Sequence, residues 1–120
     1  MVVIIEPIQV MASSGEANLL PTAEQIEAAL EGVLDPELGV NIVALGLIYG
    51  IEVSPEGIVQ LRMTMTTPAC PLRTYLARQI AMQLSRIGGI TGLRIEWTWD
   101  PPWTPEKMRP TARQQLGFPA

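Results

Sequence analysis

The chain has 120 residues, of which 48% are apolar and 17% are charged, and its formal net charge at pH 7 is −4. The length fits one compact domain, and the composition supports a buried core and excludes an intrinsically disordered chain. The negative charge argues against nucleic acid and acidic membranes as partners.

The first twenty residues are predicted to form an arm outside the domain. The apolar opening run contains Glu6 and Pro7, lacks a basic segment, and is shorter than the ~20 residues that a membrane-spanning helix needs. Ser13-Ser14-Gly15 is typical of a hinge. We therefore expect residues 1–20 to form a flexible or edge-strand arm and residues 21–120 to form the domain.

The first helix is predicted from a capping box and from an apolar periodicity. Thr22 and Gln25 fit the S/T-x-x-E/Q pattern that satisfies backbone N–H groups at a helix start. Asp35 precedes Pro36, which disfavours helical geometry, so we expect a helix over residues 23–34. Its apolar residues recur at helical spacing; they are Ile26, Ala29, Leu30, Val33 and Leu34.

A hairpin is predicted around Ser54-Pro55-Glu56-Gly57, which separates two β-rich runs at residues 47–53 and 58–67. The second run alternates, so one face should be buried and the other exposed. The exposed face, together with the apolar arm, predicts a homodimer. The buried set is Val59, Leu61, Met63 and Met65, and the polar set is Gln60, Arg62, Thr64 and Thr66.

A second helix and a third strand follow. Pro71 suits the first turn of a helix, and Gly88-Gly89 suits its end. Residues 93–99 alternate as a strand, which we expect to pair in parallel with the hairpin through the helical crossover. The apolar stripe of the helix is Leu72, Leu76, Ile80, Leu84 and Ile87.

The proline-rich tail predicts a rigid turn and then two short helical pieces. Thr104 is placed to cap a turn that starts at Pro105, and a second piece should begin near Pro110 and end at Gly117. The element order is thus α-β-β-α-β-α. It predicts a two-layer α+β domain with helices on one face of a three-stranded mixed sheet.

Charge is unevenly distributed along the chain. All eight Lys and Arg residues lie after residue 61, whereas nine of the twelve Asp and Glu residues lie before it. If the two halves occupy different surfaces, the protein is a dipole that orients a partner. The alternative is that the halves interleave and neutralise each other.

Cys70 is the strongest candidate for a chemical role. It stands between a predicted strand and a predicted helix, so its sulfur should lie over the first-turn N–H groups at the positive end of the helix dipole. Arg73 and the lack of acidic residues in that helix also favour the thiolate. A single cysteine excludes an intramolecular disulfide and favours a reducing compartment, the cytoplasm. The alternative is that Cys70 is a small buried apolar side chain.

Two pairs of polar residues are candidates for the same site. Thr66 and Thr67 end the predicted strand before Cys70, and their hydroxyls suit hydrogen bonds to a sulfur or a bound ion. Asp35 and Glu37 offer two carboxylates to a metal or to a basic group of a partner. The alternative is a turn-forming Asp and a solvated Glu.

Several classes of enzyme are excluded by the composition. The chain has no histidine, which rules out a Ser-His or Cys-His catalytic pair, a histidine-ligated zinc and a haem held by histidine. It has neither a GxxxxGK[ST] phosphate loop nor a GxGxxG motif. After these exclusions, a cysteine thiolate is the reactive group that the sequence still offers.

Four motifs closely resemble the SufT-like and PaaD-like metal–sulfur cluster assembly family over about residues 22–117. In chain order they are Asp35-Pro36-Glu37, Asn41-Ile42-Val43 with Leu45-Gly46-Leu47-Ile48-Tyr49, Met63-Thr64-Met65-Thr66-Thr67-Pro68-Ala69-Cys70-Pro71, and Trp99-Asp100-Pro101-Pro102-Trp103-Thr104-Pro105 with Met108. The resemblance implies a role in maturing iron–sulfur proteins. It also implies a site at one end of the sheet, made of Asp35, Glu37, Thr66, Thr67 and Cys70.

The chain departs from the family pattern in three places. Ala44 stands where the family usually has Asp, so that carboxylate is lost. Pro110 interrupts a tail helix that is normally continuous. The cysteine-rich C-terminal extension of some phenylacetate-pathway relatives, with its zinc site, is absent from this sequence.

These features lead to one main hypothesis and two others. An iron–sulfur cluster usually takes four protein ligands, so one cysteine must share it. The main hypothesis is a cluster assembly or transfer factor that ligates iron or an iron–sulfur cluster transiently through Cys70, with other ligands from a second subunit, a small thiol or the recipient. Its partners are then assembly proteins and recipient apo-proteins. The others are a non-catalytic adaptor that docks recipients onto the assembly machinery, and a thiol enzyme such as a reductase.

Overall fold

The structure is a computed structural model that describes residues 2–5, 20–67 and 70–117, with the side chains of residues 2–5 and of Cys70 outside the description. The predicted hinge at Ser13-Ser14-Gly15 and the pair Pro68-Ala69 also lie outside the described residues. The elements are β1 (Val2–Ile5), α1 (Ala23–Leu30), β2 (Ile48–Val53), β3 (Ile58–Met63), α2 (Cys70–Leu84), β4 (Gly92–Trp97), a 3-10 helix (Pro105–Lys107) and α3 (Pro110–Leu116).

The strands form one mixed sheet in the order β1-β4-β3-β2. β2 and β3 form the antiparallel hairpin, β3 and β4 pair in parallel across the α2 crossover, and β1 pairs antiparallel with the outer side of β4. The predicted α-β-β-α-β-α order and the three-stranded mixed sheet are confirmed, and β1 adds a fourth strand at the edge. The division of the chain at residue 20 stays a prediction.

The core lies between one face of the sheet and the helices. The opposite face is open, because Gln60, Arg62 and Arg94 alternate with the buried strand residues and are exposed. The helices therefore cover only one face of the sheet. The core residues on the strands are Val59, Leu61, Met63, Leu93, Ile95 and Trp97, and those on α1 and α2 include Ile26, Leu30, Leu76, Ile80 and Leu84.

The start of α1 is as predicted, but its end is not. The Thr22 hydroxyl accepts from Gln25 N at 3.2 Å, and the Gln25 side chain accepts from Thr22 N at 2.8 Å, which confirms the capping box. The helix ends at Leu30 rather than at residue 34. Val33 is still buried, but it belongs to a tight turn in which its N–H donates to Leu30 O, and Leu34 is half exposed.

Other predicted boundaries were also too long. β3 ends at Met63, and Thr64 is fully buried although the alternation placed it on the exposed face. β4 ends at Trp97, after which the Thr98 hydroxyl accepts from Asp100 N at 3.2 Å and turns the chain, leaving Trp99 exposed. The second helix ends at Leu84, where 3-10-type bonds take over.

Thr64→Val is expected to stabilise the protein. The Thr64 hydroxyl is buried and has no hydrogen-bond partner among the described residues, and a buried unsatisfied polar atom carries a desolvation cost. We expect the free energy of unfolding to rise by about 1 kcal/mol in urea denaturation. Thr98→Val is the control, because its hydroxyl is hydrogen-bonded; equal losses in both variants would contradict the prediction.

The tail folds back onto the loop before β2. Trp103 Nε1 donates to Leu45 O at 2.7 Å, and Arg109 N donates to Ala44 O at 2.8 Å. The two helical pieces are confirmed, with Pro110 opening α3 and Gly117 ending it at φ 80°. Thr104 precedes the 3-10 helix, but its hydroxyl makes no capping hydrogen bond, so that detail was wrong.

Candidate functional site

The buried Asp35 carboxylate organises the loop that follows α1. Its Oδ1 accepts from Glu37 N at 2.8 Å and from Leu38 N at 3.1 Å, while its backbone carbonyl accepts from Gly39 N at 2.7 Å. Pro36 suits this turn, because its missing N–H leaves no donor unsatisfied. Asp35 is fully buried, so its carboxylate holds the loop in shape, in agreement with the turn-forming alternative.

The loop of Asp35 meets the end of the hairpin through two hydroxyl–carboxylate contacts. Thr66 Oγ1 donates to Asp35 Oδ2 at 3.3 Å, and Thr67 Oγ1 donates to Glu37 Oε1 at 3.2 Å. The first contact is partly buried and the second is exposed. Four of the five predicted site residues therefore lie together, with Glu37 and Thr67 on the solvent side.

Cys70 is the first residue of α2, three positions after Thr67. Its backbone therefore lies at the N-terminus of a 15-residue helix, where unpaired N–H groups and the helix dipole favour negative charge. The helix contains no acidic residue and carries Arg73 in its first turn. The position of the Cys70 sulfur lies outside the described part of the structure, and its ionisation stays a prediction.

The described side chains of the site offer no complete set of ligands to a metal ion. Among the described residues, no three Asp, Glu, Cys or His side chains group closely enough to hold one. Asp35 is fully buried, whereas Glu37 is exposed and is the accessible carboxylate.

A polar groove of about 510 Å³ lies elsewhere, between the bulge of β2 and the tail. Tyr49 is the extra residue of that bulge, and its hydroxyl donates to Pro101 O at 2.8 Å. Burial raises the pKa of Tyr49, and the positive charge of Arg62 opposes that rise. Lys107 Nζ lies 5.4 Å from the centre of the Tyr49 ring. None of the four described candidate residues lines this groove; they are Asp35, Glu37, Thr66 and Thr67.

The geometry defines a small α+β domain in which a buried Asp loop is hydrogen-bonded to a Thr pair, and a helix begins at Cys70, three residues after that pair. Residues 23–97 match the family described as "Iron-sulfur cluster assembly protein". The chain belongs to this family. No helix within residues 20–67 and 70–117 is long and apolar enough to span a membrane.

Individual relatives agree with this assignment. A Porphyromonas gingivalis protein named "Fe-S protein maturation auxiliary factor" is 37% identical over 101 residues, covering 84% of this chain and 96% of its own. The Bacillus subtilis factor YitW, with the same description, is 38% identical over 95 residues, covering 79% and 93%. The predicted membership in an iron–sulfur cluster assembly family is confirmed.

A solved structure supports the fold. A conserved hypothetical protein from Thermotoga maritima superposes with a TM-score of 0.71 at 40% sequence identity, covering 82% of this chain and 97% of its own. At this identity the likeness extends to sequence as well as to backbone. The α+β architecture is therefore shared along almost the whole of that protein.

One departure from the family pattern, Ala44, lies beneath the tail. Ala44 is buried, and its carbonyl accepts from Arg109 N. A carboxylate at this position would be placed in the contact between loop and tail rather than at the Asp35 site. Sequence reasoning did not foresee that both oxygens of the buried Asp35 carboxylate accept hydrogen bonds. The signal was present in Asp35-Pro36, a pair typical of turns closed by the Asp side chain.

Proposed function

We propose that this protein takes part in the maturation of iron–sulfur proteins by holding iron or an iron–sulfur cluster transiently through the thiolate of Cys70. The observation that carries the proposal is the cluster of Asp35, Glu37, Thr66 and Thr67, joined by hydrogen bonds of 3.3 and 3.2 Å, next to the start of α2. The family assignment and the names of the relatives support the same role.

The roles of the polar residues follow from their burial. Asp35 is a positioning residue, because it fixes the loop and the Thr66 hydroxyl without facing solvent. Glu37 and Thr67 are exposed, so they are the groups that would contact the cargo or the partner that brings it. Hydroxyl and backbone N–H groups near a sulfur-bound cluster stabilise its negative charge.

Cargo held by one cysteine must be shared. A cluster usually takes four protein ligands, so the others would come from a second subunit, a small thiol or the recipient apo-protein. Shared ligation keeps the cargo exchangeable, as a transfer step requires. We place this function in the cytoplasm, because a reducing compartment keeps a lone thiol free.

Cys70→Ser is expected to abolish transfer. We would reconstitute wild type and variant without oxygen, record visible spectra and iron content, and then measure transfer to an apo-ferredoxin. Serine is a poor soft ligand, so we expect the variant to lose bound iron and transfer activity. Thr74→Ala is the matched control, since Thr74 is exposed one turn further along α2 and the variant retains the cysteine.

The same pair of proteins tests the adaptor alternative. An adaptor would bring recipients to the assembly machinery with Cys70 in a structural role. Cys70→Ser would then keep its partners in pull-downs and would still support maturation of a target protein. Equal transfer by wild type and by Cys70→Ser rules out ligation by the thiolate and favours the adaptor.

A further inference from the structure

The outer faces of α1 and α2 carry opposite charges. Glu24 and Ala28 on α1, and Glu31 directly after it, are exposed on the side opposite the buried Ile26 and Leu30. Their spacing of four and three residues places them in one row. The exposed row of α1 is therefore acidic, with a small side chain at its centre.

The exposed row of α2 is basic and partly apolar. Tyr75, Arg78 and Met82 follow one another at helical spacing on α2, and Arg86 continues the row in the turn after it. Tyr75 is 43% exposed and Met82 is 57% exposed. Large exposed apolar side chains next to arginines are typical of a surface that binds another protein.

The charged groups of these two rows form no ion pairs within the part of the chain that the structure describes. Neither the guanidinium groups of Arg78 and Arg86 nor the carboxylates of Glu24 and Glu31 form an ion pair with a described residue. The open sheet face differs, because Arg62 there pairs with Glu96 at 3.8 Å. The helix layer is therefore the better surface for a charged partner.

We propose that a second copy of this chain docks on the helix layer, with the α2 row of each copy against the α1 row of the other. A twofold axis makes the two contacts identical. Arg78 and Arg86 are separated by about 12 Å along the helix, and Glu24 and Glu31 by about 10 Å. The two ion pairs therefore form together, with Met82 lying over Ala28.

The packing of the two helices within one chain makes this arrangement reachable. α1 and α2 are neighbours in the helix layer, where Gln83 Nε2 donates to Ala29 O at 3.0 Å. An acidic row and a basic row thus lie side by side on each copy, which is the arrangement that a twofold contact needs. This inference concerns assembly and does not depend on what Cys70 binds.

Charge reversal on either row tests the dimer. We would measure mass by light scattering and sedimentation over a wide concentration range, with thermal unfolding as a check on folding. Wild type is expected to dimerise with rising concentration. Arg78→Glu with Arg86→Glu, and Glu24→Arg with Glu31→Arg, should each dimerise at least about tenfold more weakly, because like charges then face each other.

Mixing the two charge-reversed variants provides the decisive result. Each contact in the mixed dimer again joins opposite charges, so the mixture is expected to dimerise as wild type does. Glu52→Arg with Glu56→Arg is the matched control, since both residues are exposed on the hairpin and the charge change is the same; it should leave the dimer intact. A monomeric wild type, a dimer that resists both reversals, or a mixture that stays monomeric would overturn the proposal.

Discussion

Asp35→Ala is expected to lower the free energy of unfolding by about 3 kcal/mol. The substitution leaves the N–H groups of Glu37 and Leu38 without their acceptor and removes the partner of the Thr66 hydroxyl. Because Asp35 is fully buried, water does not readily replace these bonds. Urea denaturation followed by circular dichroism measures the loss.

Two further variants separate the loop from the charge. Asp35→Asn keeps an oxygen that accepts from Glu37 N and Leu38 N, so we expect a loss of only about 1 kcal/mol. Thr66→Val removes the single hydrogen bond to Asp35 Oδ2 at 3.3 Å. It should also lower the free energy of unfolding by about 1 kcal/mol. If Asp35→Asn destabilised the protein as much as Asp35→Ala, the negative charge rather than the turn would be the main contribution.

The start of α1 shows what local chemistry predicts well. Thr22 and Gln25 form the capping box that their spacing indicates, because both bonds lie within one turn and need no distant partner. The end of the helix was predicted less well. Val33 continues the apolar period and is buried in the core, but its backbone forms a turn rather than a helix. Periodicity alone does not distinguish a turn from a helix at this position.

Thr64 and Trp99 show where alternation fails. Each continues the period of its strand, yet the strand has already ended, so Thr64 is buried and Trp99 is exposed. Alternation places a side chain on one face only while the backbone stays extended and paired. For Trp99, a hydrogen bond within the Thr98–Asp100 turn ends the extended backbone. The sequence pattern does not reveal the geometry of this turn.

The candidate site was predicted as a set of residues but not as an arrangement. The resemblance to the family named Asp35, Glu37, Thr66 and Thr67, and the structure joins them in two pairs. Which carboxylate faces inward depends on how the loop after α1 packs against the hairpin, a contact between residues about thirty positions apart. No local pattern encodes that contact. The sequence alone therefore does not predict that Asp35 is buried and that Glu37 is exposed.

Gly46→Ala is expected to destabilise the protein by about 3 kcal/mol and to loosen its tail. Gly46 has φ 80°, a conformation that a side chain strains, and its added Cβ would overlap with the carbonyl group of Lys107. The tail would have to move away from the loop, weakening the bonds from Trp103 to Leu45 and from Arg109 to Ala44. Urea denaturation and the rate of tryptic cleavage after Lys107 report the two effects.

Gly39→Ala separates backbone strain from the contact with the tail. Gly39 has φ 70°, close to that of Gly46, but its added Cβ would meet no atom within 4 Å. Gly39→Ala should therefore lower the free energy of unfolding only by the cost of the strained backbone, about 1 kcal/mol. Its tail should resist trypsin as the tail of wild type does. If both glycine variants lost the same stability and were cleaved at the same rate, the close approach of Lys107 would not be what holds the tail on the loop.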